Sequence, residues 1–160
     1  MDEVLRIVNA LIAESVRTLS DTGAPFPIAA KLFKFGQPVV PLLEDLFQQP
    51  MSEDARNHTA ALLVELGSRK GVPHLLSLLE HHNRDSVMAA LVLAKARVQE
   101  AAPLIREVLE RWDCTDDPYS AATLVDSLKR VGTIPDSLKD SLRRQWPRQM
   151  YAGLEKLLQG

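Results

Sequence analysis

The chain has 160 residues, 46% of them apolar and 25% charged, with a formal net charge of −2. Those proportions exclude an intrinsically disordered chain and a strongly cationic nucleic-acid binder, and the length is enough for one domain with a sizeable core. Cys114 is alone, which excludes an internal disulfide framework.

In chain order, residues 2–20 predict an amphipathic helix with Val4, Leu5, Val8, Leu11, Ile12, Val16 and Leu19 on one broad face. Its opening, MDEVLRIVNALIAESV, carries acidic residues first and charges within, unlike a signal peptide. Asp21-Thr22-Gly23 breaks it, and PFPIAAKLFKFG predicts a shorter helix ending at Gly36. A second pair spans Pro38–Gln48 and Glu53–Leu66, with Gly67 suited to the helix end. The stretch GVPHLLSLLEHHNRDSVMAALVLAKARV, from Gly71 to Val98, reads as two short helices joined by a polar turn. Neither has a wide polar face, so each needs neighbours on two sides. A fourth pair covers Gln99–Trp112 and Pro118–Val131, joined by the acidic connection DCTDDP. The last pair runs from Pro135 to Gln145 and, after Pro147, from Arg148 to Leu158.

Three series recur along these pairs. Pro41, Pro73, Pro103 and Pro135 open helices at steps of 32, 30 and 32 residues. Asp21, Asp54, Asp85 and Asp117 mark polar turns at steps of 33, 31 and 32. The Ala pairs Ala29-Ala30, Ala60-Ala61, Ala89-Ala90 and Ala121-Ala122 follow at steps of 31, 29 and 32. Each has a physical reason. Proline fits a first turn whose N–H groups lack partners, Asp caps such groups, and small Ala side chains let helices approach closely. Leu76 and Leu91 are expected to fill the space between adjacent units.

This spacing, carried by EDARNHTAALLVELG, GVPHLLSLLE and AAPLIREVLE, resembles the short bacterial HEAT-like α-helical repeats, most clearly from Gly36 to Gly132. The resemblance implies an all-α fold, an α-solenoid of about ten helices in five pairs. It forms a single domain over residues 1–160: an N-terminal capping pair over 1–36, central repeats over 37–132 and a C-terminal capping pair over 133–160. The family's second-helix Arg is matched by Arg56 alone, with Val87 and Tyr119 at the corresponding positions.

Function follows less directly. No phosphate-binding Gly-rich loop, nucleophile elbow or metal-ligand spacing is present, so the expectation is no catalytic residue, no metal and no cofactor. His81-His82 points in two directions on a helix and is a poor metal clamp. The cluster Trp112, Asp113, Asp116, Asp117 and Tyr119 reads as a polar interhelical turn with a cap, with Cys114 a loop residue in it. As an enzyme, the chain would be a nucleic-acid-processing protein of the alkylpurine DNA glycosylase type, which is built from similar repeats. Such a protein needs a basic face, whereas residues 1–128 carry 12 Lys/Arg against 18 Asp/Glu. Residues 129–160 carry 7 against 3, which reads as a solvated basic cap.

The expected function is therefore a non-enzymatic scaffold or adaptor that binds another protein, in the cytoplasm, without membrane or nucleic acid. Aligning the units on Asp54, Asp85 and Asp117 puts Arg56, Val87 and Tyr119 in one column and Asn57, Met88 and Ser120 in the next. Arg56, Asn57, Met88 and Tyr119 are the expected partner-binding residues, because Arg, Tyr and Met are frequent interface anchors.

Overall fold

The structure is a computed structural model, and it describes residues 32–159. Among these residues every regular element is a helix, and no helix is long and apolar enough to cross a membrane. Residues 32–35 are helical. They are followed by α1 (Val40–Phe47), α2 (Glu53–Glu65), α3 (Val72–Leu79), α4 (Arg84–Lys95), α5 (Ala102–Arg111), α6 (Pro118–Val131), α7 (Asp136–Gln145) and α8 (Tyr151–Gln159). These eight match the eight helices expected between Pro38 and Leu158. The expected helix over 2–20 and most of its partner lie outside the described residues.

The described residues fall into two compact units, divided between His74 and Leu75. In the first, Leu32, Val39, Leu43 and Leu46 close over Leu62, Leu63 and Leu66 of the α2 end, with Phe35, Val40, Phe47 and Met51 around the margin. Polar ties hold the same elements. Gln37 Nε2 donates to the Leu66 carbonyl at 2.6 Å. Glu44 receives Ser68 Oγ at 2.7 Å and Lys70 Nζ at 2.6 Å. The Lys70 bond, with help from Ser68, holds the Glu44 carboxyl below the usual carboxylate range.

In the second unit α6 packs against both α4 and α5. Their buried faces supply Ala89, Ala90, Leu93, Ile105, Val108, Leu109, Ala121, Leu124, Val125 and Leu128. The Arg143 guanidinium ties α7 to α8 through Glu155, with Nε to Oε1 at 2.7 Å.

The same run of backbone states occurs three times. Gly36 (φ 65°), Gly67 (φ 89°) and Arg97 (φ 58°) each turn left-handed. One-turn 3-10 helices follow at Gln37–Val39, Arg69–Gly71 and Gln99–Ala101. Then come α1, α3 and α5, with Pro41, Pro73 and Pro103 each at the second helical residue. A left-handed residue after a helix lets the next N–H reach back to an orphan carbonyl. Ser68 N donates to Leu63 O at 2.9 Å and Val98 N to Leu93 O at 3.0 Å. Glycine makes the left-handed state inexpensive at position 67; at position 97 an arginine adopts it.

Pro135 departs from this pattern. It caps α7 in an extended conformation (φ −62°, ψ 149°), one residue before the helix and without a 3-10 turn ahead of it. The Asp series also divides. Ser52 caps α2, Asn83 caps α4 in a reciprocal capping box with Ser86, and Asp117 caps α6. Asp54 and Asp85 sit inside the first turn, where they meet the positive end of the helix dipole. Leu76 and Leu91 are half-buried; Leu75, Leu78, Leu79 and Leu93 are the fully buried leucines of those helices.

Candidate binding site

The second helices of the pairs, α2, α4 and α6, carry the four expected contact residues, and their environments differ. Arg56 is half-buried at the start of α2. Its guanidinium donates to the Phe47 carbonyl at 3.2 Å and to the Gln49 carbonyl at 3.3 Å, and lies 5.4 Å from the Phe47 ring centroid. It therefore clamps the α1–α2 turn.

Asn57, expected at the surface, is 2% exposed. Its Oδ1 accepts from His74 Nε2 at 2.7 Å, which fixes the proton on that imidazole nitrogen. A buried amide requires such a partner, and the sequence spacing to His74 does not announce one. Met88 is half-buried on α4. Tyr119 is 76% exposed in the first turn of α6.

Arg56 and Tyr119 do not share a helical position. Measured from the caps, Tyr119 lies two residues after Asp117, as Asp54 does after Ser52, while Arg56 lies four after Ser52. Alignment on Asp54, Asp85 and Asp117 sets two first-turn residues against a cap, since the capping residues are Ser52, Asn83 and Asp117.

The second unit has an open cavity of about 560 Å³, whose lining includes Asp116 and Asp117, the residues just before α6. One wall is the start of α4, with His82 and Asn83 before it and Arg84 its first residue; the other is Arg111, at the end of α5, and the turn that follows it. Local bonds shape that second wall. Asp113 Oδ1 accepts the N–H groups of Thr115 (2.9 Å) and Asp116 (3.1 Å). Trp112 Nε1 donates to the Asp117 carbonyl at 3.3 Å, and Thr115 Oγ1 to the Gln145 carbonyl at 3.0 Å. Asp117 Oδ1 accepts the Ser120 N–H at 3.0 Å. Hydrogen bonding from Ser120, side chain first and backbone second, keeps the Asp117 carboxyl below its ordinary range; the Arg84 charge adds to this.

Cys114 is buried in the same turn. Burial, with the Asp113 charge beside it, pushes its thiol up to about 11. A thiol so placed stays protonated near neutrality and is a structural residue of the turn. Among the described residues no group of three or more His, Cys, Asp or Glu side chains is arranged to hold a metal ion.

The Trp112–Tyr119 cluster was visible in the sequence, but its opposite wall was not. His82–Arg84 precedes α4 as Asp113–Asp117 precedes α6, so the period itself was the signal that the two turns are neighbours. Comparison of the chain with protein-family models, with curated proteins and with solved structures finds no match.

Proposed function

We propose that this chain is a non-enzymatic, cytoplasmic binding protein of the HEAT-like kind, an α-solenoid in which the second helices of the pairs offer a surface to another protein. The observation that carries the reading is Tyr119, a large aromatic side chain 76% exposed in the first turn of such a helix. Tyrosines supply much of the energy of protein interfaces, because they bury a large rigid area at a small entropic cost. The threefold left-handed residue, 3-10 turn and helix-opening proline support the repeat assignment.

The carboxylates near Tyr119 favour binding over catalysis. Asp113 and Asp117 are each engaged with backbone N–H groups and hold the turn and the α6 cap. Affinity capture with the intact chain and with Tyr119→Ala as parallel baits tests the reading. A specific protein retained by the first and lost from the second is the expected result; equal retention by both would place the binding surface elsewhere.

A further inference from the structure

Most of the charged groups around the cavity of the second unit are already committed. Arg111 is held by Glu107 at 2.8 Å and by His82 Nε2 at 3.2 Å. Asp113 accepts backbone N–H groups of its own turn, and Asp117 accepts the Ser120 N–H of α6. Two remain. Among the described residues, neither the Arg84 guanidinium nor the Asp116 carboxylate is held by a hydrogen bond or an ion pair. Elsewhere in this unit exposed charges pair with close neighbours, as in Arg130–Asp126 and Arg143–Asp140.

Arg84 and Asp116 have opposite signs, line one cavity and come from different elements. Arg84 is the first residue of α4, and Asp116 lies in the turn before α6. The volume, about 560 Å³, lies within the roughly 300–1,000 Å³ typical of small ligand pockets, enough for a pair of side chains. Trp112 offers an aromatic surface for their aliphatic stems.

We propose that this cavity is a subsite for a peptide segment carrying a basic and an acidic side chain within a residue or two of each other. The basic group pairs with Asp116 and the acidic group with Arg84. A guanidinium is the residue of choice for a forked bond to a carboxylate, so each end of the ligand meets its complement. A ligand of a single sign gains one of these contacts and meets a like charge at the other. The inference rests on the protein-binding reading and names the chemistry of the partner.

The test uses the full chain and three acetylated, amidated hexapeptides with Arg-Gly-Glu, Arg-Gly-Arg and Glu-Gly-Glu cores. Binding is followed by NMR through the Trp112 indole N–H and the Thr115 and Asp116 amides. The mixed peptide should bind about tenfold more tightly than either single-sign peptide, and Arg84→Gln and Asp116→Asn should each remove that advantage. Asp136→Asn, which removes an exposed charge from α7, should leave it unchanged. Equal binding of the three peptides overturns the assignment, as does an equal loss in the Asp136 variant, which would show only long-range attraction. If the mixed peptide shows no preference while Tyr119→Ala still loses a captured protein, the subsite is wrong and the Tyr119 binding surface stands; if Tyr119→Ala also retains that protein, both the subsite and the Tyr119 surface fall.

Discussion

His74 Nε2 donates to Asn57 Oδ1 at 2.7 Å, and the His74 ring meets the Phe47 ring edge-on with 5.9 Å between centroids. Arg56 covers the same Phe47 ring. Four side chains from α1, α2 and α3 are thereby joined in one contact chain in the first unit. Because Asn57 is buried, removing its amide takes an acceptor from His74 without giving that nitrogen water in exchange. Asn57→Ala should destabilise the chain by about 1–3 kcal/mol in chemical denaturation. A change within about 0.5 kcal/mol would show that the bond contributes nothing net.

Gly71 closes against α2 more tightly than any side chain permits. A Cβ added there would lie 2.3 Å from the Ala60 carbonyl oxygen, and backbone cannot move aside as a flexible side chain can. Gly71→Ala should therefore cost about 3 kcal/mol or more, read from the midpoint of urea unfolding. Gly153→Ala is the control. Its Cβ meets nothing within 4 Å, and its helical position favours alanine by about 1 kcal/mol.

Acid should loosen the contact between α7 and α8. The hydrogen bond from Arg143 holds the Glu155 carboxyl below its ordinary value. A group whose folded pKa is depressed contributes stability above its unfolded value, and that contribution is lost as pH falls through the folded one. The loss should thus begin near the ordinary glutamate range, about 4.3, and continue below it. Carboxyl-carbon NMR should show Glu155 titrating lower than a free glutamate, and Arg143→Gln should move it back up. An unchanged Glu155 titration in that variant would show that the pair does not form in solution.

The helices from Pro38 onward were legible because two signals coincide there: apolar spacing and a helix-opening proline. The proline series worked at Pro41, Pro73 and Pro103 because a left-handed residue and a 3-10 turn precede each. It failed at Pro135, where Gly132 is extended and no such turn forms. The cap positions were less legible. Asp, Ser and Asn all accept N–H bonds well, so a sequence with Ser52 two residues before Asp54, or Asn83 two before Asp85, does not declare which one caps. That two-residue shift turns a helix by about half a revolution and separates Arg56 from Tyr119, while the burial of Asn57 depends on His74, a partner 17 residues away. The exposure of Tyr119 was anticipated; the uncommitted Arg84 across the cavity was not, since pairing depends on neighbours that no local pattern names.

Arg56 and Tyr119 now predict different phenotypes. Arg56→Ala removes two hydrogen bonds to the α1–α2 turn and the cover over Phe47, so a loss of about 1 kcal/mol of stability is expected. A melting temperature equal to that of the unsubstituted chain would mean the clamp is unimportant.

The most direct test of the binding account is a calorimetric titration of the captured protein partner into the intact chain and into Tyr119→Ala, with thermal melts of both. Tyr119 is exposed and caps no helix, so its removal should leave the melting temperature unchanged. It should weaken binding by more than about 1 kcal/mol, a factor of five or more in Kd. Unchanged affinity in a fully folded Tyr119→Ala chain would contradict the account.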